Sequence, residues 1–405
     1  MLHCSNPYYF LLFVIITLRF VPEGKKSTEE YFREICEYDT RKLCPECFPN
    51  LPKCDEIFFT PLSGSWSNIV NNLANAHNAQ FGTFAGYSSL AVLKRLNRDS
   101  TIEQLLRKFC KIRSSSDCSW TDEGNDDKAT EFLKTSILEE SRVDGCVICP
   151  SSNKEQSLQR FLETVEPKMN NLLKLLIIRT NVQPLLLTLM SVGSDFFPVP
   201  KLLYSFGFNT IESYDGEPLS IFYDYPLLIR MLIARELIKA AISFTVGING
   251  FRFLLTDLNP DNVVVRFGNN SSEMFVSFVD LDNLIMVDSL ADGITHDYNY
   301  HVHTKIDCVG CFAYVQADIC RYRNSDLNLF AICQLLLEDT NGNSLKGLLN
   351  GSRSKLPDDP TLSEDDPAAS LHNLLHECVY CRPPACRNRS LILENILNII
   401  DINVM

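Results

Sequence analysis

The sequence is short of basic residues, of glycine and of long apolar runs. Its 405 residues include 37 Lys and Arg against 50 Asp and Glu, which gives a net charge of −13. A nucleic-acid-binding protein needs a basic surface, so this balance argues against that class. The 17 Gly are far too few for collagen, and 45% hydrophobic residues are too many for a disordered chain. We therefore expect a folded protein with a sizeable core and no nucleic-acid partner.

The apolar run nearest the N-terminus, residues 8–18, has eleven residues, whereas a transmembrane helix needs about 20. Its length favours a secretory signal, and we assign residues 1–24 to a signal peptide or signal anchor. No Lys or Arg precedes the run and no small-residue cleavage motif follows it. Cleavage, retention as a membrane anchor and burial in the core therefore all stay open.

We expect a location in the secretory pathway, either the Golgi lumen or outside the cell. Contact with a membrane is expected only through an uncleaved N-terminal segment. Four Asn-x-Ser acceptors for N-glycosylation agree with this location: Asn269, Asn270, Asn350 and Asn388.

Cysteine is abundant, with 16 residues, too many for an ordinary cytosolic enzyme of this size. Eight of them form four C-x-x-C pairs, which begin at Cys44, Cys146, Cys308 and Cys378. In a cytosolic protein such pairs, with His301 and His303 just before one of them, would indicate zinc. In a secreted protein they indicate disulfides, so we expect bridges and no zinc. Cys333 lies in an apolar run and is predicted to be a buried free thiol.

Secondary-structure patterns divide the chain into an extension and two lobes. Residues 25–60 are charged, rich in Cys and punctuated by Pro, which indicates an extension cross-linked by disulfides. Strand and helix patterns alternate over residues 61–213. In residues 214–401 a long helix begins after Pro226, because the fixed φ of proline suits the first turn, and strands and further helices follow. This order predicts an α+β fold with a sheet-bearing N-terminal half and a mainly helical C-terminal half.

The most informative segment is a polar loop between two predicted strands, which carries Asp257 and, five residues later, Asn262. A later strand ends at Asp280. Strand ends bring side chains together, and an Asp-x4-Asn loop with a later aspartate is the pattern of phosphoryl transfer. Asp257 would accept the proton of the attacking hydroxyl, while Asn262 and Asp280 would hold Mg²⁺, which prefers oxygen ligands. Lys94, at the end of a predicted strand, would contact the nucleotide phosphates.

Each of these elements has a simpler interpretation when it is taken alone. The polar loop is also explained as an ordinary Asx or proline turn, and Lys94 as a charge that protects an edge strand. Their order changes the balance, because the lysine, a long helix, the Asp-x4-Asn loop and the later aspartate follow one another as in a kinase-like fold. Asp326, at the start of a predicted apolar helix, lies where such folds bury a structural aspartate.

Several further motifs run along the chain. They are CPECF at 44–48, AVLKRL at 91–96, TEF at 130–132, YDGE at 214–217, FLLTDLNPDN at 253–262, VD at 279–280 and CQLL at 333–336. Together they resemble the divergent protein kinase domain (DIPK) family, and in particular its type 2 branch, over residues 40–385. The resemblance implies a two-lobed protein-kinase-like fold with a Cys-rich N-terminal extension, a Golgi or secreted location, and an activity that is uncertain in the family.

The resemblance also implies roles for individual residues. Lys94 corresponds to the nucleotide lysine and Asp257 to the catalytic aspartate. Asn262 and Asp280 correspond to the ligands of the Mg²⁺ or Mn²⁺ that accompanies ATP.

Two further assignments concern the cofactor-binding residues around the nucleotide. Tyr214 and Glu217 would lie at the hinge that contacts adenine. A helix glutamate should pair with Lys94, and Glu131 and Glu103 both qualify; we prefer Glu131.

The sequence departs from active kinases at auxiliary motifs. Leu255 and Thr256 replace the His-Arg before the catalytic aspartate, and Asp282 replaces the glycine of Asp-Phe-Gly. No Ala-Pro-Glu follows Asp280, and no G-x-G-x-x-G lies at the usual distance before Lys94.

Two functions therefore stay open. The first is an ATP- and divalent-metal-dependent phosphotransferase that acts on a hydroxyl of a lumenal or extracellular protein. The second is a catalytically dead pseudokinase that acts as a secreted or Golgi binding protein. The expected partner is a protein substrate or a receptor of the secretory pathway.

Overall fold

The structure is a computed structural model that describes most of the chain beyond residue 27. The described residues are 28–44, 47–48, 54, 59–61, 79–96, 100–112, 118–120, 126–139, 146–191, 197–268, 273–294, 296–303, 314–338, 347–350, 367–382 and 384–404. The predicted signal segment 1–24, the acceptors Asn269 and Asn270, and the pair Cys308 and Cys311 lie outside them.

The described strands are β1 (Phe59–Pro61), β2 (Ala79–Phe84), β3 (Leu90–Arg95), β4 (Cys146–Cys149), β5 (Leu202–Phe206), β6 (Asn209–Ser213), β7 (Glu217–Pro218), β8 (Phe251–Leu255), β9 (Val263–Phe267), β10 (Met274–Phe278), β11 (Leu284–Asp288), β12 (His296–Asn299) and β13 (Tyr322–Ser325).

The described α-helices are α1 (Thr28–Tyr38), α2 (Thr101–Ile112), α3 (Asp126–Glu139), α4 (Lys154–Thr164), α5 (Asn171–Thr180), α6 (Gln183–Ser191), α7 (Leu227–Val246), α8 (Gln316–Ile319), α9 (Leu327–Leu337), α10 (Pro367–Tyr380) and α11 (Arg389–Val404). Among them no single helix is long and apolar enough to cross a membrane, and α5 with α6, bent by 113°, meet that criterion only as a pair.

Five antiparallel strands form the first sheet, in the order β1-β2-β3-β6-β5. β6 lies inside the sheet next to β3, and all of its residues are buried. Side chains alternate along β3, and Ala91 and Leu93 pack with Ile211 on the face that contacts the N-terminal extension. Lys94 therefore points to the opposite face, toward the rest of the molecule.

The buried side chain of Asp39 attaches the Cys-rich extension to this sheet. Its Oδ2 accepts hydrogen bonds from Phe208 N at 3.0 Å and from Asn209 Nδ2 at 2.9 Å, at the turn between β5 and β6. Gly207 has a φ of +51° in that turn, and a Cβ there would lie 2.6 Å from Asp39. Burial raises the pKa of Asp39 to about 6, although both donors favour its charged form.

Two three-stranded sheets follow the first sheet along the chain. The chain leaves the first sheet at Ser213 and enters the second, β7-β9-β10, at Glu217. The third sheet has the order β4-β11-β8, with β4 parallel to β11. β8 and β9 flank the loop that carries Asp257 and Asn262, while β10 and β11 flank Asp280. The loop that carries Asp257 and Asn262 and the segment that carries Asp280 therefore lie in the same region of the molecule.

The C-terminal half is mainly helical, as predicted. α7 packs against α9 and α11, and α9 also packs against α10. Burial of α9 on nearly all sides explains its continuous apolar sequence. Asp326, just before α9, is fully buried, pairs with Arg389 of α11, and accepts a hydrogen bond from His301 N at 2.7 Å. The predicted α+β architecture in two lobes and the predicted burial of Asp326 are confirmed.

Six disulfides join described cysteines: Cys36–Cys54, Cys44–Cys47, Cys110–Cys118, Cys149–Cys320, Cys333–Cys378 and Cys381–Cys386. The prediction of bridges is confirmed, but the prediction of a free thiol at Cys333 is wrong. Cys333 lies on α9 and Cys378 on α10, so the apolar run marks an interface between two helices.

The free thiol of the described residues is Cys146, which is buried. It does not bridge Cys149, because residues three apart in a strand point to opposite faces of the sheet. Within the same residues no group of three or more His, Cys, Asp or Glu could hold a metal ion. His301 packs instead on the ring of Phe330, 4.4 Å between ring centroids, and burial lowers its pKa to about 4.

The pair between Asp326 and Arg389 should be essential for the stability of the C-terminal half. Asp326→Ala leaves a fully buried guanidinium without its carboxylate, so we expect the free energy of unfolding to fall by about 3–5 kcal/mol. Urea unfolding followed by circular dichroism measures this change. The control is Asp318→Ala, whose partner Arg321 is 67% exposed, and it should cost less than about 0.5 kcal/mol. Similar effects of the two substitutions would contradict the structural role of Asp326.

Candidate active site

Lys94 connects the first sheet to the segment that carries Asp280. Its Nζ donates a hydrogen bond to the carbonyl of Val279, the residue before Asp280. The same Nζ lies 3.4 Å from Oε2 of Glu212, and the lysine side chain is 12% exposed. The predicted lysine therefore contacts the residue that precedes the predicted metal ligand.

The carboxylate that pairs with Lys94 comes from a strand and not from a helix, so the prediction of Glu131 is wrong. Lys94 lies opposite Thr210 in the pairing of β3 with β6, and Glu212 is the diagonal neighbour on the same face. Glu131 is exposed on α3, and Glu103 on α2 accepts a hydrogen bond from the hydroxyl of Tyr38 at 3.3 Å. The ion pair of Lys94 is with neither of them.

Asp280 has the property expected of a metal ligand. Its Oδ1 is buried and has no hydrogen-bond partner within the described residues. A buried carboxylate oxygen without a partner is costly, and it is explained where a cation completes the site. The arrangement of Asp280 therefore fits Mg²⁺ or Mn²⁺.

Asn262 lies next to this carboxylate through the backbone. Its carbonyl accepts a hydrogen bond from Val279 N at 3.0 Å, so the Asp257 loop is joined to the residue before Asp280. Its Nδ2 donates to the carbonyl of Asp257 at 3.0 Å, so Oδ1 is the atom that would bind a metal ion. One amide oxygen and one carboxylate are the hard donors that these cations prefer.

Asp257 is exposed at the end of β8, in a loop that is fixed by side-chain hydrogen bonds. Its Oδ1 accepts a hydrogen bond from Asn259 Nδ2 at 2.9 Å. The Oδ1 of Asn259 in turn accepts from Asp261 N at 2.9 Å and from Asn262 N at 3.1 Å. The carboxylate is thus accessible to an incoming hydroxyl group while the backbone below it is ordered.

α9 fixes the strand that leads into this loop. Asn328 Oδ1 accepts from Leu255 N at 2.8 Å, and its Nδ2 donates to the carbonyl of Phe253 at 2.8 Å. Thr256, which stands where active kinases have arginine, donates through Oγ1 to the carbonyl of Asn283 at 3.1 Å. The Thr256 bond connects the loop to the segment after Asp280 without a positive charge.

The predicted hinge is the connection between the first and second sheets. Tyr214 N donates to the carbonyl of Leu90 at 3.1 Å, and its hydroxyl donates to Oε1 of Glu217 at 2.8 Å. Burial raises the pKa of Tyr214, and the bond to Glu217 raises it further. A Cβ on Gly216, which has a φ of +136°, would lie 2.2 Å from the carbonyl oxygen of Val265. Both hinge side chains are therefore engaged with each other in a tightly fitted connection.

Sequence reasoning missed two site residues, Glu212 and Gln183. Glu212 is 1% exposed, and Gln183, the first residue of α6, is also 1% exposed. The sequence feature that could have identified Glu212 is an acidic residue within a strand, two positions before Tyr214 of the hinge. Gln183 lies between two apolar helices, and nothing in its local sequence points to the site.

Comparison with known proteins identifies a family that matches this chain. The family model described as the protein-kinase domain of FAM69 matches residues 180–380, which include Asp257, Asn262 and Asp280. Divergent protein kinase domain 2A of Xenopus tropicalis is 26% identical over 364 residues, 83% of this chain and 81% of that protein. The Homo sapiens protein of the same name is 26% identical over 383 residues, 85% of each chain. The chain belongs to the divergent protein kinase domain family.

Solved structures are similar at a lower level. The PknI kinase domain of Mycobacterium tuberculosis is 12% identical, with 85% of this chain and 95% of that chain covered and a TM-score of 0.31. Rv3197 of the same organism, in complex with erythromycin, is 13% identical, with 69% and 64% covered and a TM-score of 0.27. TM-scores this low do not establish a shared fold. The assignment of a kinase-like fold to this chain rests on the family model and on the order of strands and loops.

Asp280 should destabilise the protein when no metal is bound. Asp280→Ala removes a buried oxygen that lacks a partner, so we expect the free energy of unfolding to stay constant or to rise by about 1 kcal/mol. The comparison is Asp288→Ala, which removes a buried carboxylate bound by Arg160 Nε at 2.8 Å and should cost about 1–3 kcal/mol. Denaturant unfolding in EDTA measures both variants. A loss at Asp280 as large as that at Asp288 would show that Asp280 has a structural partner.

Proposed function

We propose that this divergent kinase is a phosphotransferase of the secretory pathway, which uses ATP and Mg²⁺ or Mn²⁺ to phosphorylate a hydroxyl of a lumenal or extracellular protein. The observation that carries the proposal is the unpartnered Oδ1 of Asp280 beside the Lys94 contact to Val279. A buried carboxylate oxygen and a partly buried lysine in one cleft are the two groups that a metal-bound triphosphate needs.

The residues of the cleft take distinct roles in this proposal. Asn262 and Asp280 hold the metal ion, which neutralises charge on the phosphates when it is bound. Lys94 orients a phosphate from the side of the first sheet. Asp257 accepts the proton of the substrate hydroxyl, for which its exposed position is suited. Tyr214 and Glu217 line the hinge and would lie beside adenine.

The second candidate function is that of a pseudokinase that binds a protein partner. Two observations favour it over catalysis. Lys94 already donates a hydrogen bond to the Val279 carbonyl, so a phosphate has to compete with that carbonyl. Thr256 also supplies no positive charge beside the catalytic aspartate position.

The disulfides support the proposed compartment. Six bridges among the described residues form and persist in an oxidising environment, such as the lumen of the secretory pathway or the extracellular space. We expect N-terminal sequencing of protein secreted by cultured cells to begin after residue 18. An intact Met1 on the recovered protein would contradict signal cleavage, and failure to recover the protein in the medium would favour a retained Golgi form.

Nucleotide binding gives the direct test of the proposed function. A ligand that binds only the folded state stabilises it by about 2.7 kcal/mol at a concentration 100 times its Kd. We therefore expect Mg-ATP or Mn-ATP to raise the Tm of the wild-type protein, and ATP in EDTA to have a much smaller effect. Asp280→Ala should abolish the metal-dependent shift.

Phosphate transfer then separates the two candidate functions. With a generic protein acceptor and radiolabelled ATP, Asp257→Ala should lower transfer at least about 100-fold, because the general base is removed. A thermal shift without transfer in the wild type would favour the pseudokinase. No shift at millimolar nucleotide would overturn the nucleotide-binding proposal as a whole.

A further inference from the structure

We infer that Glu212 and Gln183 are positioning residues of the cleft: Glu212 holds Lys94 from within the sheet, and Gln183 couples this pair to the segment of Asp280. The structural part of this inference stands on contacts within the protein. Its consequence for nucleotide binding rests on the proposed function.

The carboxylate of Glu212 is fully bonded in the interior of the molecule. Its Oε1 accepts from Thr210 Oγ1 at 3.1 Å and from Gln183 Nε2 at 2.9 Å. Its Oε2 accepts from the same Gln183 nitrogen at 2.8 Å and lies 3.4 Å from Lys94 Nζ. A carboxylate that is 1% exposed is stable in the interior only with such partners. Glu212 therefore holds the Lys94 side chain in its orientation.

The side-chain amide of Gln183 has both of its ends occupied. While Nε2 donates to Glu212, Oε1 accepts a hydrogen bond from Leu281 N at 3.1 Å. Leu281 directly follows Asp280. The side chain thus forms a continuous connection from the lysine pair to the backbone that carries the metal-binding carboxylate. The order of donor and acceptor fixes the amide orientation, and a glutamate at this position could not donate to Glu212.

This arrangement changes how the cleft is controlled. In protein kinases the lysine pairs with a glutamate on a helix, and movement of that helix controls the pair. Here β3 and β6 are neighbours in one sheet, so movement of α6 does not separate Lys94 from Glu212. Such a movement would instead break the bonds of Gln183 and release the Leu281 amide. Movement of α6 would therefore act on the Asp280 segment through the Leu281 amide, while the strand register keeps Lys94 beside Glu212.

Hydrogen exchange in the protein without nucleotide tests the coupling. Gln183→Ala should speed exchange of the Leu281 amide at least about tenfold, because one buried hydrogen bond is lost. Thr188→Ala is the matched control on the same helix, since the Thr188 hydroxyl donates to the Pro184 carbonyl within α6 and, among the described residues, makes no bond to the Asp280 segment. It should leave Leu281 exchange unchanged. A wild-type exchange rate in Gln183→Ala would overturn the inference.

Binding of Mg-ATP, measured by calorimetry, tests the effect on the cleft. Glu212→Gln should weaken binding at least about tenfold, because Lys94 loses its anionic partner. Gln183→Glu places two buried carboxylates in contact and should also weaken it. The double variant Glu212→Gln/Gln183→Glu restores a donor opposite a carboxylate, so it should bind better than Gln183→Glu alone. Strictly additive losses would show that the two side chains do not act as a unit.

The outcomes separate this inference from the proposed function. If the wild-type protein binds Mg-ATP and Glu212→Gln binds it equally well, the positioning role of Glu212 is wrong while the proposed function stands. If the wild-type protein binds no nucleotide, the proposed function fails, and the exchange of the Leu281 amide still decides the coupling through Gln183. Circular dichroism checks that each variant is folded, and the exchange experiment uses the milder Gln183→Ala in case Glu212→Gln unfolds.

Discussion

The buried contact between Lys94 and the Val279 carbonyl joins the first sheet to the region of the candidate chemistry. The lysine carries its charge into a largely dry environment, and this is tolerable only because Glu212 and a carbonyl oxygen surround it. Val279 also donates through its own N–H to the carbonyl of Asn262. One residue thus fixes the lysine, the Asp257 loop and the Asp280 segment relative to one another, and the geometry of the cleft depends on this buried charge.

The helical half supplies the rigid frame for that contact. Asn328 on α9 uses both ends of its amide to bond the last residues of β8, shortly before Asp257. α9 is itself fixed at its first turn by Asp326 and Arg389, both fully buried. The position of the loop that carries the exposed Asp257 is therefore fixed by groups that lie in the core. For this reason the fold can keep the loop in place even where other kinase motifs have changed.

The sequence was sufficient for the residues whose positions follow from strand ends. Asp257 and Asp280 follow strands, Lys94 lies near the end of one and Asn262 directly precedes one, so the order of elements alone predicts that they approach one another. Partners across strands and between helices were not predictable, because pairing register and helix contacts are long-range properties. Glu131 was therefore chosen over Glu212, which needs the β3–β6 register, and Cys333 was assigned as free although α10 brings Cys378 to it.

The distribution of satisfied and unsatisfied groups bears on whether the cleft binds a ligand. Glu212 and Gln183 are fully bonded although they are buried, which shows that this part of the fold can complete demanding polar networks. Asp280 directly precedes Leu281, the residue that Gln183 binds, and its Oδ1 is buried without a hydrogen-bond partner among the described residues. If the cleft were an empty structural remnant, a neutral side chain at that position would give a more stable protein. The Asp280 carboxylate has an oxygen without a hydrogen-bond partner, whereas the buried polar groups of Glu212 and Gln183 are bonded. This combination is typical of a site that a bound cation completes.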